Sequence, residues 1–207
     1  MITKSNLLKQ ILAQKLFFIF RDVDNKKLLE IAATLLDHGH NIVEVTYNSH
    51  YPAVEQINLL REKFEDKLII GCGTILDITE LKHILEHSRI DFIVTPHFDA
   101  QIIEFANKVN LVTITGALTP TEIMSASRSG ADIIKLFPAS LDYIRQIRGP
   151  FRDIKIASVG GINADNAAEY LAHGADVLGI GSYITAPTLD MDEVVMRIEK
   201  LGNSIRS

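Results

Sequence analysis

The stretch Ile154–Ser182 reads IKIASVGGINADNAAEYLAHGADVLGIGS and contains one complete β-α-β unit. A predominantly apolar run, Ile154–Val159, is followed by two glycines and then by an amphipathic segment, Asp165–His173. Gly174 provides a helix C-cap, and a second apolar run, Val177–Ile180, comes after it. Mostly apolar runs of this length are typical of parallel strands that are covered on both faces. The stretch therefore predicts two parallel strands joined by a helix.

The same alternation continues along the whole chain, which has 207 residues and no low-complexity segment or linker. The other runs that predict strands are Leu16–Phe20, Ile42–Thr46, Leu68–Gly73, Asp91–Thr95, Leu111–Thr115 and Ile133–Phe137. The other segments that predict helices include Lys26–His38, Pro52–Phe64, Ile78–His87, Asp99–Asn107 and Pro120–Ser129, with Gly39, Asn110 and Gly130 as C-caps. Eight strands alternating with helices predict an α/β fold, a single (βα)8 TIM barrel over residues 1–207.

Two features near the N-terminus refine this prediction. Thr3–Gln14 is predicted to form an extra helix that plugs the bottom of the barrel. The alternative fold, an open doubly wound sheet, would carry a G-x-G-x-x-G turn after its first strand. Residues Phe20–Asp24 read FRDVD at that place, which favours the barrel.

Composition and charge exclude several classes of protein. A hydrophobic content of 47% argues against intrinsic disorder, and a formal net charge of −5 argues against a nucleic-acid-binding face. The single cysteine, Cys72, cannot form an internal disulfide. Leu16–Phe20 is too short for the apolar core of a signal peptide or for a membrane span. We therefore expect a cytoplasmic protein that binds neither nucleic acid nor membrane.

Polar residues at the C-terminal ends of the strands are the first candidates for function, because barrel enzymes place their chemistry there. Strand alternation places Glu44 on the opposite face from Val43, and Lys135 on the opposite face from Ile134. We therefore expect Glu44 and Lys135 inside the barrel. The strand ends carry Arg21, Glu44, Thr46, Thr74, Thr95, Thr115, Lys135, Ser158 and Ser182.

The chemistry of a buried lysine beside a carboxylate points to covalent catalysis. Burial disfavours the ammonium form of Lys135 and lowers its pKa, and a neutral amine can attack a ketone to form a Schiff base. Glu44 is the strand-borne carboxylate placed to transfer protons. Two alternatives stay open: a structural Lys135–Glu44 ion pair, or a lysine that extends out of the barrel mouth.

Two glycine clusters predict a phosphate site. Gly160 and Gly161 follow the seventh strand, while Gly179 and Gly181 surround the end of the eighth and precede Ser182. Glycines let backbone amides approach an anion, and the loops after strands seven and eight commonly hold phosphate in this fold. The alternative is that these glycines only allow tight turns.

Six stretches, in this order, resemble the class I aldolases that cleave 2-keto-3-deoxy-6-phosphosugar acids, the KDPG/KHG aldolase family. The resemblance extends from about Phe17 to Ile184, and it is specific because GCGT and KLFP occur together. The stretches are Val43–Thr46 (VEVT), Gly71–Leu76 (GCGTIL), Val94–Pro96 (VTP), Ile134–Ala139 (IKLFPA), Val159–Ile162 (VGGI) and Gly179–Ser182 (GIGS).

The resemblance implies a metal-free, cofactor-free and usually homotrimeric enzyme that acts on phosphosugar acids and releases pyruvate. It implies that Lys135 is the Schiff-base lysine and Glu44 the general acid/base. It also implies that Thr74 binds the pyruvyl carboxylate. The other roles it implies are phosphate binding by Gly160, Gly161, Gly181 and Ser182, and lining of the site by Pro96 and Phe137.

One departure from the family pattern concerns the carboxylate end of the substrate. The gluconate-type branch has an arginine where this chain has Asn48. The galactonate-type branch resembles this chain, with Asn-Ser after strand two and an arginine after strand one, here Arg21. Arginine can bind a carboxylate with two parallel hydrogen bonds. We therefore expect Arg21 to bind the carboxylate and Asn48 to line the site.

Other functions are also compatible with parts of the pattern. One is cleavage of 4-hydroxy-2-oxoglutarate by the same chemistry. A second is a phosphosugar isomerase or epimerase that uses Glu44 as a base, which leaves Lys135 unexplained. A third is a phosphosugar-binding relative without catalysis. His83 and His87 have a spacing that can ligate zinc, but no further ligand is predicted near them, so we expect no metal site.

Overall fold

The computed structural model describes residues 3–47 and 50–206. In these residues, eight strands alternate with helices. The strands are β1 (Leu16–Phe20), β2 (Ile42–Thr46), β3 (Ile69–Gly73), β4 (Phe92–Thr95), β5 (Val112–Gly116), β6 (Ile133–Leu136), β7 (Ile156–Val159) and β8 (Val177–Ile180). The α-helices are α1 (Lys4–Gln14), α2 (Asn25–Asp37), α3 (Ala53–Phe64), α4 (Ile78–His87), α5 (Ala100–Lys108), α6 (Pro120–Arg128), α7 (Leu141–Arg148), α8 (Ala167–Ala172), α9 (Ser182–Thr185) and α10 (Met191–Ser204).

The strands form one closed parallel barrel in chain order, with β8 paired to β1. The prediction of a (βα)8 barrel is therefore confirmed, as is the extra helix at the N-terminus. Gly39, Asn110, Gly130 and Gly174, predicted as helix C-caps, all have positive φ angles. A left-handed residue lets the chain leave the helix and turn towards the next strand.

Strand alternation divides the apolar core into two parts. Residues that face outwards, such as Val43 and Ile134, pack against the helices in a large outer core. Residues that face inwards, such as Phe17, Phe92 and Ile133, fill the barrel itself. A small barrel has a packed interior rather than a pore, so a polar side chain facing inwards is buried.

Helix α1 closes the bottom of the barrel, as the sequence predicts. Leu7 and Ile11 are buried and belong to the same cluster as the inward-facing strand residues. Lys4 on this helix forms an ion pair with Asp132, which immediately precedes β6. The inner core is therefore closed from below by apolar side chains, and the opening of the barrel lies at the C-terminal ends of the strands.

Three aspartates at the bottom join neighbouring strands. Asp91, Asp132 and Asp176 each precede an even-numbered strand and accept a hydrogen bond from a backbone amide of the strand before it. Each also pairs with a cation that lies at the same end of the barrel. The amide and cation partners are Ile70 and Arg61 for Asp91, Thr113 and Lys4 for Asp132, and Ile156 and Arg148 for Asp176.

No helix within the described part of the chain is long and apolar enough to cross a membrane.

Candidate active site

A cavity of about 430 Å³ opens at the C-terminal ends of the strands. It brings together the inward-facing ends of β1, β2, β6, β7 and β8 with residues that follow β1, β3, β4, β6, β7 and β8. The predicted site residues that line it are Arg21, Glu44, Thr74, Pro96, Lys135, Phe137, Gly160, Gly161, Gly181 and Ser182.

Lys135 projects into this cavity from β6 with only 8% of its surface exposed. Its neighbours Ile133 and Leu136 are fully buried, so the ammonium group has little access to water. Burial therefore lowers the pKa of Lys135; the Glu44 carboxylate opposes this shift, and the Arg21 guanidinium adds to it. Its Nζ lies 5.5 Å from the centre of the Phe137 ring. The result is a lysine whose neutral form is favoured relative to a lysine in water.

Glu44 projects inwards from β2 and is 2% exposed. Its Oε2 is buried and has no hydrogen-bond partner among the described residues. Burial raises the pKa of Glu44, while the charges of Lys135 and Arg21 act in the opposite direction. A buried carboxyl with a raised pKa and a free oxygen is a candidate for accepting and returning a proton during catalysis.

Arg21 and Thr74 meet on the side of the cavity formed by the ends of β1 and β3. The Arg21 Nη2 donates a hydrogen bond of 2.8 Å to Thr74 Oγ1. Thr74 has a φ of 60°, a left-handed conformation that is rare for threonine and that other residues must hold in place. A cation and a hydroxyl held together at a cavity wall can bind a carboxylate.

The glycine loops lie across the cavity mouth. Gly160 and Gly161 have φ angles of 104° and 70°. Asn166 stabilises the second of these turns, because its Nδ2 donates to the carbonyl oxygen of Gly161 at 2.9 Å. A side chain on Gly160 would begin 3.2 Å from the Phe137 ring, so the glycine lets the ring and the loop approach each other. Ser182 begins α9 beside them.

The sequence model of the family described as KDPG and KHG aldolase matches residues 8–201 of this chain. The chain belongs to the KDPG and KHG aldolase family. The match spans both glycine loops and every strand of the barrel, so it covers the whole cavity described above. This confirms the family that the sequence motifs indicate.

Relatives in the KDPG and KHG aldolase family come from both substrate branches. The 2-dehydro-3-deoxy-6-phosphogalactonate aldolase of Escherichia coli K12 is 31% identical over 172 residues, 81% of this chain and 82% of that relative. The 2-dehydro-3-deoxy-phosphogluconate aldolase of Haemophilus influenzae is 31% identical over 149 residues, 70% and 69% of the two chains. A solved structure described as native KDPGal matches with a TM-score of 0.85 and 25% identity, covering 92% of this chain and 94% of that one.

Three strand-end residues of this aldolase-family chain face away from the cavity. Thr95, Thr115 and Ser158 lie near the C-terminal ends of their strands, as the site residues do. Each is next in sequence to a residue that faces inwards, namely Val94, Ile114 and Val159 respectively. Their side chains therefore face the helices, where Thr95 Oγ1 donates to the carbonyl oxygen of His97 at 2.7 Å. Position along a strand is not sufficient to predict a site residue, because its face also matters.

Two other predicted residues have different outcomes. Thr46 shares the inward face with Glu44 but is fully buried and does not line the cavity; its Oγ1 has no hydrogen-bond partner among the described residues. Asn48, predicted to line the site, lies outside the described residues.

Sequence reasoning missed several residues around the mouth. Asp22 lines the cavity with a φ of 55°, and its Oδ1 accepts hydrogen bonds from the backbone and the ring of His50. Pro187 also lines it, in the segment after α9. Asp22 could have been found from its position beside Arg21. Pro187 gives no comparable signal, because no strand run or family motif includes it.

Proposed function

We propose that this chain is a class I aldolase that cleaves a 2-keto-3-deoxy-6-phosphosugar acid, of gluconate or galactonate type, into pyruvate and glyceraldehyde 3-phosphate. The observation that carries the proposal is the buried lysine–carboxylate pair, Lys135 and Glu44, at one cavity that also contains a cation and two glycine loops. Membership of the KDPG and KHG aldolase family supports the same activity.

Covalent catalysis begins at Lys135. The neutral amine would add to the C2 carbonyl of the substrate and give a carbinolamine. Loss of water, with a proton supplied through Glu44, would convert the carbinolamine to a protonated imine. The lowered pKa of Lys135 favours the first step, because only the unprotonated amine has an electron pair to donate.

Carbon–carbon cleavage would use the imine as an electron sink. Glu44, directly or through a water, would remove the proton from the C4 hydroxyl, and the C3–C4 bonding electrons would move towards the imine nitrogen. Glyceraldehyde 3-phosphate would leave as the aldehyde, and an enamine would remain on Lys135. Protonation of the enamine at C3 and addition of water at C2 would then release pyruvate and the free amine.

The two ends of the substrate would be bound by different parts of the cavity. Arg21 and Thr74 would hold the carboxylate beside the imine carbon. The loops that carry Gly160, Gly161, Gly181 and Ser182 would hold the phosphate at the far end. Pro96 and Phe137 would line the space between, and Phe137 would cover the Lys135 side of the cavity.

The proposal extends to the organisation of the protein. Residues 1–207 would act as one barrel domain, in the cytoplasm and without a cofactor, and three copies would assemble into a homotrimer, as the family resemblance implies. Light scattering of the purified protein would measure the mass of the assembly. A mass of one or two chains would refute the homotrimer, and it would leave the proposed chemistry untested and unchanged.

Trapping with borohydride tests the chemistry directly. Incubation with pyruvate and borohydride should add one reduced pyruvyl group to the protein, and peptide mapping should place it on Lys135. Lys135→Met, which nearly preserves the side-chain volume without the amine, should form no adduct. Lys155→Met is the matched control, because Lys155 is an exposed lysine at the opposite end of the barrel. An adduct on another lysine in the Lys135→Met protein would refute the assignment.

A further inference from the structure

Gly73 does not line the cavity, but it lies directly beneath the side chain of Glu44. Gly73 is the last residue of β3 and the second glycine of the GCGT stretch. In the β2–β3 register, Glu44 is opposite Gly71, and Gly73 is opposite Thr46. The Glu44 side chain therefore leans along the strands and covers the backbone of Gly73 rather than that of the residue opposite it.

The space above Gly73 is filled by the Glu44 carboxylate. A Cβ atom at residue 73 would lie 1.7 Å from Glu44 Oε1, 2.3 Å from Cδ and 2.8 Å from Cγ. All three distances are far below van der Waals contact. Gly73 does not have a positive φ angle, so its backbone conformation does not require glycine. The carboxylate is the reason that no side chain fits at this position.

We infer that Gly73 is a positioning residue, whose missing side chain forms the niche that holds the Glu44 carboxylate against β3 and beside Lys135. This inference rests on the proposed function of Glu44 in proton transfer. Any side chain at residue 73 must displace Glu44, because the clashing atoms belong to a side chain and not to backbone. A general base misplaced by about 1 Å can lose about 10²-fold in rate.

The neighbouring glycine provides a matched control. Gly71 lies on the same strand and the same inward face, two residues earlier. A Cβ atom there would lie 2.3 Å from the ring of Phe92, which is fully buried in the inner core. The nearest atoms to a Cβ at residue 71 thus belong to the Phe92 ring, whereas the nearest atoms at residue 73 belong to Glu44, so Gly71→Ala disturbs barrel packing first and Gly73→Ala disturbs the carboxylate.

Exchange of the pyruvate methyl protons with deuterium, followed by NMR, measures proton transfer at C3 of the enamine on Lys135. We expect Gly73→Ala to form the borohydride adduct at saturating pyruvate but to exchange protons about 10²-fold more slowly, as expected for loss of a general base. Gly71→Ala should exchange at the unsubstituted rate per mole of folded protein. An unsubstituted rate in Gly73→Ala would overturn the inference.

A double-mutant cycle separates positioning from a general effect on folding. In the Glu44→Ala background, Gly73→Ala should cause no further loss of exchange and no loss of stability in urea, because the clashing atoms are gone. Gly71→Ala should destabilise both backgrounds equally. Gly73→Ala could fail to fold by itself. In that case, a Gly73→Ala/Glu44→Ala protein that folds would support the contact, and a double variant that also fails to fold would refute it.

Failure of the proposed function and failure of the inference about Gly73 would give different results. If the unsubstituted protein neither forms an adduct nor exchanges the methyl protons, the aldolase proposal fails. The urea cycle would still decide whether Glu44 occupies the niche above Gly73.

Discussion

At the scale of single residues, the proposed chemistry depends on two groups, Lys135 and Glu44, whose burial disfavours their charged forms. Burial lowers the pKa of Lys135 and raises that of Glu44. Each group alone would be costly in the core, and their mutual attraction offsets only part of that cost. This arrangement is typical of a site in which function is maintained at the expense of stability.

Replacement of Glu44 with Gln should have opposite effects on activity and stability. Gln keeps the shape but cannot take a proton, so kcat for cleavage should fall by at least ~10²-fold. Steady-state measurement of pyruvate release checks this. A near-normal kcat would mean that Glu44 is a structural partner of Lys135 only.

The stability effect of Glu44→Gln has a definite sign with pH. Because the pKa of Glu44 is raised above its ordinary value of 4.5, the folded state binds this proton more tightly than the unfolded chain does. The free energy of unfolding therefore falls as the pH rises from 4.5 through the raised pKa, and Glu44→Gln removes this fall. In urea unfolding at several pH values, the free energy of unfolding of Glu44→Gln should increase relative to that of the parent as the pH rises. A parent that becomes the more stable protein would favour the structural ion pair instead.

Arg21→Ala should weaken pyruvate binding in particular. A charge-assisted hydrogen bond to a carboxylate contributes ~1.5–3 kcal/mol. The pyruvate concentration for half-maximal borohydride trapping should therefore rise about tenfold or more. Arg21 also influences the pKa of Lys135, so trapping of acetone, a ketone without a carboxylate, is the control. Equal losses with both ketones would mean that Arg21 acts through the lysine and not on the carboxylate.

Sequence reasoning predicted where Lys135 and Glu44, the residues proposed to react, lie in the barrel, but not all of their surroundings. Lys135 and Glu44 were predictable because a single polar residue within an apolar strand run has a definite face. Ser158 was a candidate only because it lies near the C-terminal end of β7. Strand alternation from the inward-facing Val159 places its side chain on the outward face instead. The role of Gly73 was beyond prediction, because it depends on the register between two strands and on a side chain that leans past its direct neighbour.

At the scale of elements, strands were more predictable than the helices of the last third. β1, β2 and β8 have the predicted bounds, because apolar runs and their turn residues mark both ends. The predicted helices do not include α7 or α10. The first has only eight residues, so its apolar face consists of Ile144 and Ile147 alone. The second has a full apolar face, with Val194, Ile198 and Leu201 buried, and its spacing of three and four residues was sufficient to predict it.

The loop after β7 allows a test with a matched backbone. Gly161 and Gly39 both have left-handed φ angles, 70° and 79°, and a Cβ atom at either position would meet nothing within 4 Å. Alanine at either place should therefore cost a similar ~1–2 kcal/mol from backbone strain. Gly161 lines the cavity, whereas Gly39 lies in the turn before β2.

We expect Gly161→Ala to raise KM for a phosphorylated substrate while leaving pyruvate trapping unchanged. Gly39→Ala should change neither, and both variants should show similar losses in urea unfolding. Because remote binding energy can assist the chemical step, kcat with the phosphorylated substrate is expected to fall as well. Equal kinetics for the two variants would exclude the loop from phosphate binding.

At the scale of the whole molecule, the barrel separates the residues that stabilise it from those proposed to react. The bottom carries α1 and the three aspartate links between strands, where each carboxylate joins an amide and a cation. The top carries the cavity, with its buried charges and left-handed residues. The inner core between the two ends is apolar and buried, and we expect a change at the bottom to affect stability without altering the geometry of the cavity.

Ile11→Ala tests this separation. Ile11 on α1 is fully buried in the inner core, so its truncation should lower the free energy of unfolding by about 2–5 kcal/mol. Lys9→Ala, an exposed change on the same helix, should have little effect. Urea unfolding measures the loss, and kcat/KM measured where both variants are fully folded should equal that of the parent. A reduced kcat/KM in folded Ile11→Ala would show that packing at the bottom reaches Lys135 and Glu44 through the inner core, and the two ends would then not be independent.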